Sequence, residues 1–252
     1  MTGIMMSLLN SVPQPADPEP VTAGLMYYID AGVAASYPGS GTAINNIAGT
    51  APGAATVANG ATFTSAGTGS YFTFNGTNQV VYTANMLSLF NSPSNKNLTI
   101  ETWVRTSTDN GVIISEQGNS PINAGWHTSE QEIVSGNLRV RVWAIPTPPN
   151  LAVGAVTRNQ WQQYVLTYDN ATTTLRGYIN GSTTTSTSVT RDVPWEHGAP
   201  QLYYALMVAD STSMGDGSAL AGDWAVCKIY NRALSQAEIQ QNFNSVAWRY
   251  GV

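Results

Sequence analysis

The chain has 252 residues, only 10% of them charged, with a formal net charge of −5, against ~25% charged in an average soluble domain. That length is ample for one β-domain with a sizeable core and does not require two. The acidic balance and the lack of a basic patch with interleaved aromatics argue against a nucleic-acid partner, and no apolar run approaches the ~18 residues of a membrane span.

Residues 1–22 differ from everything after them. Ile4, Met5, Met6, Leu8 and Leu9 form a short apolar tip, and "PQPADPEP" follows with proline at 13, 15, 18 and 20. Proline lacks the amide donor and fixes φ, so this stretch is an extended, stiff arm. The tip has no basic region before it and no clean small-residue cleavage site, and it is expected to be retained. Either it folds back on its own domain, or it docks on another subunit.

From Leu25 the pattern is strands and turns. "LMYYID" is an apolar strand ending before Gly32, and "SYFTFNGTNQVVYT" sets Asn75-Gly76 between two short strands. "LTIETWVR" alternates strictly, with Leu98, Ile100, Thr102 and Val104 on one face and Thr99, Glu101, Trp103 and Arg105 on the other. "NLRVRVWAI" alternates again, Leu138, Val140 and Val142 opposite Arg139, Arg141 and Trp143. "WQQYVLTYD" and "TTTLRGYINGSTTTSTSV" read as a strand and a hairpin turning at Asn180-Gly181; "QLYYALMVA" and "DWAVCKIY" complete roughly ten to fourteen strands, a count suited to a sandwich or jelly roll. The single cysteine, Cys227, excludes a disulfide framework and packs as a small hydrophobe.

The chain closes on one amphipathic helix. Ser235 and Glu238 form an S-x-x-E capping box, Leu234 and Ile239 a hydrophobic staple, and Ile239, Phe243, Val246 and Ala247 keep helical spacing on the buried side.

Together "GLMYYIDAG", "YFTFNGTNQVV", "LTIETWVR", "WQQYVLTYDNATTTLRGYINGS" and "LAGDWAVCKIYNRALSQAEIQQNFN" resemble the successive blocks of the concanavalin A-like, laminin-G-like jelly roll, over nearly everything from 24 to 252. The resemblance implies an all-β fold, an antiparallel β-sandwich with one short C-terminal helix, built as an arm (1–22) and a jelly-roll domain (23–252). "IDAG…SYPGSGT" near the start and "FN…RYG" near the end are similar to versions found in bacteriophage structural proteins. The superfamily hosts lectins, glycosidases, adhesion modules and virion parts, so fold alone does not give function.

Glycosidases on this sandwich carry E-x-D-x-x-E or E-x-D-x-E, two carboxylates on one strand face. None of the seven glutamates, at 19, 101, 116, 130, 132, 196 and 238, is followed two residues later by aspartate. Glu130 and Glu132 are two apart in polar "HTSEQEI" and read as a solvated edge. No histidine–cysteine cluster has zinc spacing. The chain is therefore expected not to be an enzyme. Trp103 and Trp161 read as packing residues, while Trp126 and Trp195, in loops, are the candidate carbohydrate platforms, with Trp143 on a strand's outer face. No cofactor is expected, save that the resemblance allows a calcium ion between Asp30 and Asp223; Asp30 serves equally as the cap of the turn at "DAG".

The similarity to bacteriophage structural proteins, taken with the apolar, proline-rich arm, implies a phage virion structural protein, a decoration or cement protein on the outer capsid surface. Its expected partners are the major capsid protein and sister copies in a homotrimer, through Ile4, Met5, Met6, Leu8 and Leu9. The alternative is a carbohydrate-binding head of a tail or fibre that contacts a host glycan.

Overall fold

The computed structural model describes residues 18–50, 52–90, 96–118, 127–144, 149–193, 201–208 and 219–252. The apolar tip, Trp126 and Trp195 lie outside them. In chain order the strands are β1 (Leu25–Asp30), β2 (Ala43–Ile44), β3 (Ala55–Ala58), β4 (Thr62–Thr64), β5 (Tyr71–Asn75), β6 (Val80–Tyr82), β7 (Leu98–Thr106), β8 (Gly111–Gln117), β9 (His127–Val134), β10 (Asn137–Val140), β11 (Leu151–Ala155), β12 (Gln162–Asp169), β13 (Thr174–Ile179), β14 (Ser182–Ser188), β15 (Tyr203–Leu206) and β16 (Ala221–Tyr230), followed by helix α1 (Gln236–Ala247). That exceeds the sequence estimate because short edge strands such as β2 and β4 have no periodicity of their own to detect.

Two antiparallel sheets face each other. The first runs β14-β13-β12-β7-β16-β5-β4, with β1 also on β16; the second runs β11-β10-β9-β8-β15-β6-β3-β2. β16 is the hub of the first sheet: its early residues pair with β5 and its later ones with β1. Alternation in β7 sorts as the sequence indicates. Leu98, Ile100 and Val104 join the inter-sheet core, while Trp103 turns to the opposite face, under the helix residues Val246 and Ala247. Both faces of the first sheet are thus buried, which is why β7, β12 and β16 are covered along almost their whole length.

The hairpin β13–β14 turns on Asn180 (φ 50°) and Gly181 (φ 74°), the left-handed pair that a two-residue turn needs. Asn75-Gly76 behaves differently. β5 belongs to the first sheet and β6 to the second, so this turn carries the chain between sheets. Gly76 has φ 69°, and a Cβ there would stand 2.8 Å from the Ala221 side chain; glycine is needed for conformation and for close approach alike.

Helix α1 begins as expected. Ser235 accepts from the Glu238 amide and Glu238 from the Ser235 amide, and Leu234 and Ile239 share a buried cluster. Phe243 is only half-buried and stacks on Trp103 at 5.6 Å. Asn242 takes the fully buried place instead. It accepts from the Val21 amide and donates to Glu101 and to the Tyr230 hydroxyl. Residues 19–22, assigned to the arm from sequence, and Ala23 after them are laid against this helix side. Val21 is buried with Leu234 and Ile239, its carbonyl accepts from Tyr230, and Gln241 and Arg232 donate to the carbonyls of Glu19 and Ala23.

Candidate functional site

Between the segments 31–39 and 63–70 lies a shallow pocket of about 370 Å³, whose lining includes Tyr37, Pro38, Phe63, Ser65, Thr68 and Ser70. Its aromatic wall is preorganised. Tyr37, Phe63 and Phe72 meet edge to face or tilted at 4.8 to 5.2 Å, and the Tyr37 hydroxyl donates to the Gly41 carbonyl at 2.9 Å. Gly32 brings the two segments together: a Cβ there would sit 2.0 Å from the Thr68 carbonyl oxygen. The residues named carry rings, hydroxyls and no charge, which suits a neutral polar ligand with an apolar face.

Asp30 is the foundation beneath this pocket. Its oxygens accept from the Gly32 amide (2.8 Å), the Tyr28 hydroxyl (2.9 Å) and, from both ends of one guanidinium, Arg249 (2.6 and 2.7 Å). It therefore caps the turn at Asp30–Gly32, one of its two readings from sequence. Asp223 is spent in the same way, accepting from Thr73 at 2.6 Å and Arg105 at 2.7 Å. Arg105 in turn lies over the Tyr71 and Trp161 rings. A calcium ion would have to displace an arginine from each aspartate, and among the described residues no three acidic or metal-binding side chains gather. The pair does not fit a calcium ion.

The structure corrects the reading of Glu130 and Glu132 as a solvated edge. Glu130 is fully buried and Glu132 nearly so. β8 and β9 slip register between Ile114 and Ser115, so that Glu130 is the extra residue in β9, while Gln131, two before the core residue Ile133, faces inside, bonded to Thr102 and to the carbonyls of Ile100 and Tyr164. Such a bulge is invisible to period-2 counting. Glu130 joins Glu116, Arg191 and Tyr204, all without solvent exposure. Arg191 bonds Glu116, lies 3.8 Å from Glu130 and donates to the Lys96 carbonyl, and its amide donates to the Tyr168 hydroxyl. Burial, then the neighbouring Glu116 charge, pushes the Glu130 carboxyl well above the usual carboxylate range, against the opposing pull of Arg191. The protonated Glu130 can then donate to Oε1 of Glu116, which otherwise has no partner, while Oε2 of Glu116 accepts from Arg191 and the Tyr204 hydroxyl. Closed off from solvent, this carboxyl pair is a structural element of the sandwich.

Other buried charges are tied up similarly. Lys228 donates to Glu101 at 3.0 Å with both side chains inside, and the Trp103 indole donates to the same carboxylate. Cys227 is fully buried and its thiol is pushed far up by burial. Trp103 and Trp161 are packed, Trp161 4.3 Å from Tyr250. Trp143 lies half-buried in line with Arg139 and Arg141. The pocket itself escapes sequence reading because Tyr37 and Phe63 come from irregular or edge segments; the Gly-rich "SYPGSGT" was its one available sign.

Two antiparallel sheets, an inter-sheet apolar core and a capping helix define the lectin/glucanase type of β-sandwich. Residues 66–240 match the Concanavalin A-like lectin/glucanases superfamily, and the chain belongs to that family. No curated protein sequence matches it. Among solved structures it is similar to the Trypanosoma rangeli sialidase in complex with sialic acid (TM-score 0.61, 15% identity, 90% of this chain and 33% of that one). It is also similar to the botulinum neurotoxin serotype D/C binding domain (TM-score 0.63, 14% identity, 89% and 53%) and to the binding domain of Paraclostridial Mosquitocidal Protein 1 (TM-score 0.63, 18% identity, 89% and 52%). The chain thus spans about a third of the sialidase and about half of each binding domain. At these identities the likeness is one of fold. No helix among the described residues is long and apolar enough to cross a membrane.

Proposed function

We propose that this chain is a non-catalytic structural protein of a bacteriophage virion, carried on the outer capsid surface as a decoration protein, with the major capsid protein and sister copies as partners. The observation that carries this reading is the seating of residues 19–23. Four side chains, Asn242, Tyr230, Gln241 and Arg232, hold this segment to the helix side of the sandwich. The apolar tip in residues 4–9 is thereby joined through prolines to a fixed anchor, and a pre-extended linker reduces the entropy lost when a tip docks. The ion-paired or buried state of Asp30, Glu101, Glu116, Glu130 and Asp223 supports the non-catalytic part. The test is addition of purified protein to empty heads, full-length beside a form lacking residues 2–17. Full-length protein should decorate the heads and sediment as a trimer with its sister copies. Equal behaviour of the two forms would remove the arm from the reading. Turnover of laminarin, agar or alginate, lost on changing Glu130 or Glu132, would overturn its non-catalytic part.

A second reading, a lectin-like head that contacts a host glycan, is favoured by the pocket at Tyr37 and Phe63. A glycan array on full-length protein and on Phe63→Ala tests it: binding that depends on Phe63 supports a glycan-contacting head.

A further inference from the structure

Two large hydrophobic side chains stand exposed among the described residues, Trp248 at 49% and Val252 at 46%. Both lie just past α1, before and after Arg249, whose guanidinium holds the Thr68 carbonyl at the rim of the aromatic pocket. Tyr250 ties down the same rim, its hydroxyl donating to the Ser70 carbonyl at 3.4 Å. A single exposed hydrophobe is ordinary. Two of them at the end of the domain where an uncharged, ring-walled pocket of about 370 Å³ opens make a contact surface. What covers it must be apolar, uncharged and slim. Residues 4–9, Ile-Met-Met-Ser-Leu-Leu, have that character, and methionine in particular fills irregular gaps and packs against rings. The chain carrying them is anchored where Gln241 holds the Glu19 carbonyl. From Glu19 back to Leu9, with proline at 13, 15 and 18, the linker spans about 30 Å at the polyproline rise. From Gln241 to Trp248 the helix climbs only about 10 Å. A stiff linker of that length overshoots the pocket of its own domain and suits the pocket of a neighbour.

We propose that the apolar tip of each copy, residues 4–9, docks over Trp248 and into the Tyr37–Phe63 pocket of a sister copy. Tip and pocket are different surfaces, so the contact runs head to tail, and a closed ring of such contacts gives the trimer. The Tyr37 and Phe63 rings are already packed on each other and on Phe72, so the acceptor loses little freedom when the tip arrives. This inference rests on the reading of the arm as a bridge between sister copies, and it gives that bridge its landing place.

The native chain has one cysteine, Cys227, fully buried, so introduced cysteines report without interference. Full-length copies bearing Leu8→Cys are mixed with full-length copies bearing Ser65→Cys, an exposed position on the pocket lining, and oxidised. The mixture should give a species of doubled mass on a non-reducing gel, far exceeding that from either variant alone. In the double variant, a cross-link inside one chain with no gain in mass would place the tip on its own domain and overturn the proposal. Absence of any cross-link, in copies that still trimerise and decorate empty heads, would overturn the pocket as landing place and leave the decoration reading standing. Cross-linked copies that leave the heads bare would keep the pocket assignment and remove the capsid from that reading. Phe63→Ala should weaken self-association in sedimentation by about tenfold or more, as loss of a central aromatic anchor does. Trp248→Ala, at an exposed position outside the core, should weaken it several-fold and serves where a melting curve shows Phe63→Ala unfolded. Unchanged association in Trp248→Ala and in a folded Phe63→Ala would overturn the proposal. So would glycan binding through Phe63 by the intact trimer, because a pocket filled by the tip has no room for a glycan.

Discussion

Arg249 and Asp30, separated by 219 residues, are joined by two hydrogen bonds from one guanidinium, at 2.7 and 2.6 Å. The residue just beyond the last helix thereby locks the end of the first strand. Arg249 also donates to the Thr68 carbonyl at 2.6 Å, so the same side chain holds one edge of the aromatic pocket. With side-chain exposures of 6% and 0%, the pair is buried, and breaking it strands a charge. Arg249→Ala should destabilise the fold by about 3–5 kcal/mol. Chemical denaturation checks this, and a loss under about 1 kcal/mol, typical of exposed pairs, would show the pair to be solvated.

The Glu101–Lys228 pair offers a second test beneath the helix. Lys228→Met leaves Glu101 buried with only Asn242 and Trp103 as partners, and should cost about 3–5 kcal/mol. Adding Glu101→Gln should recover part of that loss, because the uncompensated charge is gone. Unfolding of the single and double variants gives the coupling.

Glu130 predicts a pH dependence. Its folded pKa is raised above the ordinary value of 4.5. The folded state therefore holds the proton more tightly than the unfolded chain, and this contribution is complete below the unfolded pKa. It is lost as pH rises from about 4.5 through the folded pKa. Glu130→Gln, neutral at every pH and able to donate to Glu116, should remove that loss. Melting temperatures of the native protein and the Glu130→Gln variant should converge in acid, below the ordinary carboxylate pKa. They should separate in favour of the variant as the solution becomes neutral.

Glu238 has the opposite sign. Its carboxyl is held down at about 2, first by the Arg232 hydrogen bond and further by the Ser235 amide and hydroxyl. Its contribution is present above the ordinary carboxylate pKa and is lost as pH falls towards 2. Glu238→Gln should therefore lower the melting temperature at neutral pH and matter less in acid.

At the start of the helix, Ser235→Ala should cost about 0.5–2 kcal/mol through the lost cap. Phe243→Ala should cost less than the ~3–5 kcal/mol of a fully buried ring, since Phe243 is half-exposed and its main partner is Trp103. Equal melting temperatures for native and Phe243→Ala protein would mean that this stacking contributes nothing.

The elements legible in the chain are those whose information is local. Alternation in "LTIETWVR" sorted Leu98, Ile100 and Val104 from Trp103, the capping box set the start of α1, and Asn180-Gly181 placed a hairpin turn, because each depends on residues within a few positions of one another. Long-range pairing settled the rest. It sent Asn75-Gly76 between sheets, bulged β9 at Glu130 and buried that carboxyl, and put Asn242 rather than Phe243 at the centre of the helix interface. It also brought Arg191 to Glu116, Arg249 to Asp30, and Tyr37 to Phe63. No pattern in the chain announces these partners, because the burial that makes a charge seek its counter-charge exists only once the two sheets have closed over it.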